Sequence, residues 1–348
     1  MASPRFAPGT ALAEAFYREV LEPVLAGVPH SAGLLGPGSE VLGFDSERST
    51  DHEWGPRAQL FVPAEHVAGL TEAVERALPD HFRAWPTRFG SDRRPVGPRV
   101  EVTTLTEWLR AQLGVVPTGE LSHDAWLALP QQRLLGVTAG AVFRDDTGAL
   151  GTVRQRLAWY PDELWVWLLA CQWRRIDQEE PFIGRTLEAG DDLGARLVTA
   201  RLVRELMRLC FLLERRYAPY SKWFGSAFAR LDCAPALSPL LAESLSAASA
   251  EDRQAAFLGA CRRVAELHNR RDVTAPVDAA PRQFHDRPYL VLGAGRFVDA
   301  CLGRITDPAL RRRPLIGAVD QFVDSTDVLA QPALVRRIGS AGARAGRG

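Results

Sequence analysis

The side chains best suited to chemistry crowd into one stretch. It reads Gly36-Pro37-Gly38-Ser39-Glu40-Val41-Leu42-Gly43-Phe44-Asp45-Ser46 and then Glu47-Arg48-Ser49-Thr50-Asp51-His52-Glu53-Trp54-Gly55-Pro56-Arg57. If Asp51 to Trp54 enters a strand that continues to Val62, the two-residue period of a strand puts Asp51 and Glu53 on one face and His52 and Trp54 on the other. Two carboxylates about 4 Å apart repel by roughly 4 kcal/mol at an effective dielectric near 20, so the pair needs a cation. Magnesium takes one or two carboxylates and fills its remaining positions with water and phosphate oxygens. The Gly38-Ser39 turn supplies the other half of such a site. Glycine lets backbone amides approach an anion closely, and the serine hydroxyl adds a donor. His52, pointed away from the acids, reads as a packed or hydrogen-bonded neighbour rather than a ligand.

A second set of candidates lies further along. Lys222 is the only lysine among 42 basic residues. A solvated positive charge tolerates either side chain, so in this arginine-rich chain the survivor points to a place where a compact ammonium is needed and a planar guanidinium is not. Ser221 reads as the cap of the helix that Lys222 opens. The alternative is chance survival, or an ion pair with Glu214 or Asp232. Arg201, Arg204 and Arg208 recur at helical spacing beside the apolar face Val198, Leu202, Leu206, Leu209 and Leu213. They read either as phosphate or acceptor contacts or as partners of Glu205, Asp191, Asp192 and neighbouring helices. Trp165, Trp167, Trp173 and Trp223 read as core. Gly293-Ala294-Gly295 has neither the strand nor the third glycine of a dinucleotide fingerprint.

These groups must be held by two kinds of structure. Up to about residue 115 helices and strands alternate: a helix over Thr10 to Ala26, strands at Ala32 to Leu35 and Ala58 to Val62, a helix over Ala64 to Leu78, a Pro- and Arg-rich loop from Pro79 to Pro98, a strand at Arg99 to Leu105 and a helix at Thr106 to Leu113. From about Pro161 the pattern is helical throughout, with helices expected at Pro161 to Ile176, Asp192 to Arg216, Lys222 to Leu231, Ala250 to Asn269, Tyr289 to Ile305 and Pro314 to Leu329. The stretch from Gly114 to Trp159 joins the halves. The expected fold class is α+β: a mixed sheet with helices over 1–157, an all-helical domain over 158–338, and a flexible tail over 339–348.

Glycine-serine, a spacer of about ten residues and two alternating acids resembles the polymerase-β-like nucleotidyltransferase superfamily over about Ala32 to Leu105. A closer resemblance is carried by Gly43-Phe44-Asp45-Ser46, Asp51-His52-Glu53-Trp54-Gly55-Pro56-Arg57 and Arg216-Tyr217-Ala218-Pro219-Tyr220-Ser221-Lys222-Trp223. These runs are similar to a bacterial family of nucleotidyltransferase-like proteins in which a helical domain of unknown function follows the catalytic fold. The second acid, often Asp in the wider superfamily, is Glu53 here. The resemblance implies a third carboxylate on a later strand, and Glu101 in Arg99-Val100-Glu101-Val102-Thr103 is the matching position, with Glu107 the substitute. Flanked by valines, Glu101 faces away from them on a strand otherwise fit for burial; the other reading is a solvent-facing residue on an edge strand.

The resemblance implies magnesium-dependent transfer of a nucleoside monophosphate from ATP or another nucleoside triphosphate to an acceptor hydroxyl, with release of pyrophosphate. Asp51, Glu53 and Glu101 are then the metal and catalytic set, with a two-metal site possible. Gly38, Ser39, Lys222, Arg204 and Tyr220 are the nucleotide contacts. A regulatory module that binds nucleotide without turnover, or a metal-dependent phosphohydrolase, are the alternatives.

Composition narrows the partners. The 348 residues are 46% hydrophobic and 24% charged, an ordinary globular composition. Forty-two basic residues balance 42 acidic ones, which speaks against a general nucleic-acid or membrane-surface binder and against RNA as the acceptor; a small molecule is the acceptor expected ahead of a protein side chain or an RNA end. The longest apolar run, Leu164 to Cys171, is far short of the roughly 20 residues that span a bilayer. No secretory signal opens the chain, so a cytoplasmic location is expected. Cys171, Cys210, Cys233, Cys261 and Cys301 form no C-x-x-C pair and read as buried small hydrophobes.

Overall fold

A computed structural model describes residues 6–51, 53–91 and 94–345. The chain forms two compact units, one of Met1–Ala125, Gln131–Ala158 and Ala330–Arg336, the other of Trp126–Pro130, Trp159–Leu329 and Arg337–Gly348. The class is α+β, with a mixed sheet flanked by helices first and a helical region after it.

The first unit opens with α1 (Gly9–Phe16), which runs on through a π turn (Tyr17–Leu21) and a 3-10 turn (Glu22–Leu25). Its elements continue as β1 (Ser31–Leu34), β2 (Ala58–Phe61), α2 (Ala64–Ala77), β3 (His81–Phe82), β4 (Trp85–Pro86), β5 (Arg88–Ser91), β6 (Arg94–Pro98), β7 (Val100–Thr103), α3 (Leu105–Leu113), α4 (His123–Leu127), α5 (Gln131–Thr138), β8 (Ala141–Asp145) and α6 (Ala149–Arg156). Four strands make the sheet in the order β7-β2-β1-β8; β2 and β7 run parallel, and the other neighbours antiparallel. Alternation along the strands sends Ala32, Leu34, Ala58 and Leu60 to a core shared with Leu12, Phe16, Tyr17 and Leu21, and Val100 and Val102 pack against it.

Two parts of this unit differ from expectation. The loop at Pro79 to Pro98 is two short hairpins, β3-β4 and β5-β6. The joining stretch contains β8, a full partner of β1.

The second unit is built from α7 (Asp162–Glu179), α8 (Phe182–Glu188), α9 (Asp192–Leu213), α10 (Ser221–Phe228), α11 (Ala234–Ser246), α12 (Ala250–Arg270), the short strands β9 (Arg282–Gln283) and β10 (Leu290–Val291), α13 (Gly295–Arg304), and the short helices α14 (Pro308–Arg311), α15 (Val319–Phe322) and α16 (Thr326–Leu329). The last helix, α17 (Pro332–Ala345), extends into the Gly- and Ala-rich tail. Trp165, Trp167 and Trp173 on α7 are buried, as are all five cysteines, none of which is in a disulfide. Where a single helix was expected over Tyr289 to Ile305, β10 precedes α13. The reason lies in Glu180, whose buried carboxylate accepts the amides of Leu292 (2.8 Å), Gly293 (3.2 Å) and Ala294 (2.8 Å), while Asp177 accepts that of Gly295 (2.8 Å). The Gly-Ala-Gly segment is thus an amide nest around the chain's own carboxylates. The pattern over Pro314 to Leu329 likewise divides into α15 and α16. No helix of the described residues is long and apolar enough to cross a membrane.

Candidate functional site

The loop from β1 to β2 is braced by side chains that the sequence reading passed over. Glu40 is buried and pairs with Arg57, Oε1 to Nε at 2.7 Å, and Arg57 Nη2 also donates to the carbonyl of Pro37 at 2.7 Å. Asp45 accepts from the amide of Gly9 (2.6 Å) and from Trp54 Nε1 (3.2 Å). Gly36 donates to the Gly136 carbonyl at 2.7 Å, and Gly140 to that of Val41 at 3.0 Å. The loop is therefore fixed at several points along its length.

Gly38 has φ +149°, and a Cβ there would lie 2.6 Å from Arg57 Nη2 and 2.7 Å from both Glu40 carboxylate oxygens. The position requires glycine because the Glu40–Arg57 pair packs against it. On that side, the anion that approaches the turn is the chain's own Glu40. Ser39 is half-buried, with its hydroxyl 3.5 Å from Glu40 Oε2.

The expected strand through Asp51 and Glu53 is corrected by the structure. Glu47–Asp51 is a 3-10 turn, Glu53 sits in the left-handed region at φ +49°, and β2 begins only at Ala58. Gly55 and Pro56 intervene, and proline has no amide to give a ladder. Trp54 turns inward instead, its ring edge-on to Trp85 at 4.7 Å between centroids. Both acids are exposed, but strand alternation does not align them. The Asp51 side chain makes no hydrogen bond or ion pair among the described residues, whereas Glu53 does interact with other groups. His52 lies outside the described residues.

Glu101 is exposed on β7, an edge strand of the sheet, and its register partner is Gln59 on β2, which in turn pairs with Gly33 on β1. The amide oxygen of Gln59 accepts from Leu35 N at 2.7 Å, which ties β2 to the end of β1. Glu107 is occupied at the start of α3: its amide donates to the N-cap Thr104 Oγ1 at 3.1 Å, and its carboxylate Oε2 lies 3.3 Å from the hydroxyls of Thr103 and Thr104. Among the described residues, no group of three or more His, Cys, Asp or Glu could hold a metal, so Asp51, Glu53 and Glu101 are not gathered into one cage.

In the second unit the arginine stripe divides. Arg201 pairs with Glu179 at 2.7 Å, and Arg204 forks onto Asp324 at 2.6 and 2.7 Å, so the fork expected to meet nucleotide is filled by a carboxylate. Arg208 makes no ion pair or hydrogen bond among the described residues and lies over the Phe224 ring, 5.9 Å from its centroid. Lys222 is exposed in the first turn of α10, its Nζ 5.0 Å from the Trp223 ring centroid, with no ion pair to Glu214 or Asp232. Glu214 instead accepts the amides of Asp232 and Cys233 at 2.9 and 2.8 Å. Ser221 does not cap α10. Tyr220 holds that position, without a side-chain cap bond, and interacts with other groups.

A family model described as a domain of unknown function, DUF4037, matches residues 126–224. No curated protein matches the chain. Among solved structures, the chain is similar to a nucleotidyltransferase-like protein from Exiguobacterium sibiricum 255-15, at 14% identity and a TM-score of 0.32, over 80% of this chain and 83% of that one.

Proposed function

We propose that the protein is a magnesium-dependent nucleotidyltransferase that moves a nucleoside monophosphate from ATP to the hydroxyl of a small-molecule acceptor and releases pyrophosphate. The observation that carries the reading is the sheet register. In the antiparallel pair the end of β1 meets the start of β2, and the parallel β7 starts beside β2. The segment that carries the Gly38-Ser39 turn leaves β1, and the acid-bearing segment enters β2, at the end of the sheet where β7, with Glu101, begins; this shared end is what supports the reading.

Asp51 and Glu53 are exposed oxygen donors, and two carboxylates fit a magnesium ion that keeps its waters and takes phosphate oxygens. When bound, that ion supplies charge neutralisation to the triphosphate. Ser39 and the turn amides orient the phosphates, braced from behind by the Glu40–Arg57 pair. Glu101 takes the acceptor proton as the acceptor oxygen bonds to the α-phosphorus and the bond to the pyrophosphate oxygen breaks. Lys222 and Tyr220 belong to the nucleotide contacts in this reading. Arg204, forked onto Asp324, does not.

One observation favours a nucleotide-binding regulatory module instead: the three acids do not form a metal-holding group. Mass spectrometry of a cell extract incubated with protein, magnesium and ATP separates the two readings. Transfer predicts a metabolite that gains a nucleoside monophosphate only when magnesium is present. Bound ATP with no such product and no pyrophosphate identifies the module.

A further inference from the structure

Three helices of the second unit end around one small cavity. α9 closes at Leu213, α12 at Arg270 and α13 at Arg304, and the cavity, about 180 Å3 in volume, is lined by Arg215, Arg271 and Arg304 together with Trp165, Glu214 and Asp272. Arginines at helix C-termini ordinarily serve the last carbonyls. Here those carbonyls are already taken. Cys210, Phe211 and Leu212 accept the amides of Glu214, Arg216 and Arg215, with Trp165 Nε1 adding a bond to Leu212 at 2.7 Å, and Leu267, His268 and Asn269 accept those of Arg271 and Asp272. The nearby acids leave most of the guanidinium donors unused. Asp162 divides its two oxygens between Arg215 (2.9 Å) and Arg304 (2.6 Å). The buried Glu214 carboxylate is committed to the amides of Asp232 and Cys233, so Arg271 has ion pairs only at 3.8 Å to Glu214 and 3.7 Å to Asp232 and no hydrogen bond to either. Arg215 lies flat on Trp165, its guanidinium carbon 3.9 Å from the ring centroid, which fixes it in place. Arg215 and Asp272 also stand in the left-handed region, at φ +52° and +49°, just past the ends of α9 and α12. Glycine adopts that conformation without cost, yet the chain keeps a charged side chain at both places.

We propose that this cavity binds a phosphate group, as inorganic phosphate or as the terminal phosphomonoester of a small metabolite. Guanidiniums from three helix ends line one cavity, and a tetrahedral anion has oxygens enough to accept from all three, whereas a carboxylate is filled by one fork. The volume is below the roughly 300 Å3 at which pockets take whole organic ligands, so a compact group enters and a nucleotide does not. Asp272, exposed and with no side-chain partner among the described residues, opposes the anion and limits its affinity. The site lies wholly within the helical unit and does not rest on nucleotidyl transfer.

Calorimetric titration of the full chain with inorganic phosphate, without magnesium and at constant ionic strength, tests the site. A saturable heat at millimolar concentration or below is expected. Arg271→Gln and Arg304→Gln are each expected to weaken binding about tenfold or more, Asp272→Asn to strengthen it, and Lys222→Met to leave it in place. Because Arg271 has no hydrogen-bonded acid to lose, Arg271→Gln is expected to melt with the parent; Arg304→Gln, on another helix, carries the test if it does not. Glycerol phosphate that binds more tightly than inorganic phosphate identifies a phosphomonoester as the ligand, and one that binds more weakly identifies the free ion. The proposal is overturned if phosphate gives no saturable heat, if neither arginine substitution weakens it, or if the loss follows Lys222→Met instead. Weaker binding by Asp272→Asn, or displacement of phosphate by acetate at equal concentration, also overturns it.

Discussion

The β1–β2 loop and the α9 region both concentrate charge, and they dispose of it in opposite ways. In the loop the acids nearest the glycine turn are internal: Glu40 is paired with Arg57, and Asp45 is held by Gly9 and Trp54, while Asp51 and Glu53 stand at the surface. On α9 Arg201 and Arg204 are pinned to carboxylates, and the half-buried Arg208 is the one of the three without an acidic partner among the described residues. Residue type alone does not tell the paired groups from the unpaired ones in either region. Unused hydrogen-bonding capacity does, and it picks an exposed acid in one region and a half-buried cation in the other.

The comparison breaks most easily at the scaffold end. Glu40→Gln leaves Arg57 uncompensated beside Gly38, and a loss of about 3 kcal/mol in urea denaturation is expected. A change within the error of the measurement means that the pair does not brace the loop.

The next effect sharpens the contrast between two ways of burying an acid. Glu180 has amides but no guanidinium, and burial raises its pKa to about 7. Burial lowers that of His268 to about 4, where Nδ1 accepts from Trp173 Nε1 at 3.2 Å. A raised carboxyl pKa makes stability fall as pH rises from about 4.5 to 7, because the folded state holds the proton that the unfolded state has released. A lowered histidine pKa makes stability fall as pH drops from about 6.5 to 4, because the unfolded state binds the proton first. Each slope is about 1.4 kcal/mol per pH unit, and the two oppose each other between about pH 4.5 and 6.5. Glu180→Gln is therefore expected to show stability rising with pH across that window relative to the parent, and His268→Asn to show it falling. Parallel profiles for all three proteins contradict the assignment.

The smallest effect concerns Lys222. With no carboxylate bound to it among the described residues, Lys222→Met is expected to leave the melting temperature in place and raise the dissociation constant for ATP by about tenfold, and Lys222→Arg to recover only part of that loss. If Lys222→Arg binds ATP like the parent, the compact ammonium is not what the position requires.

Much of the frame was legible in the sequence. Helical periodicity located α7, α9 and α12 within a few residues, because each buries a continuous apolar stripe; it also located α10, although only Phe228 of that helix is buried. The proline inside α11, Pro239, hid that helix, and short strands rich in Arg and Pro hid the hairpins of β3 to β6. At the candidate site the Gly-Ser turn and the exposed acids were visible as residues, but their positions were not. Gly55-Pro56 was the available signal that β2 starts late. Glu40 and Arg57 lie 17 positions apart, and no local pattern joins them; only the chain's return from β1 to β2 brings them together. The division within the arginine stripe was illegible for the same reason, since the partner of Arg204 is Asp324, 120 residues away.

The central claim is that the exposed acid of the loop does chemistry while the buried one holds structure, and a paired assay of Asp51→Asn tests it most directly. Pyrophosphate release from ATP with magnesium and cell extract is measured beside the melting temperature in the absence of metal. The account predicts a loss of release of roughly 100-fold or more with an unchanged or slightly raised melting temperature, because the Asp51 side chain has no partner to lose among the described residues. Release at the parent rate, or a melting temperature that collapses, contradicts it.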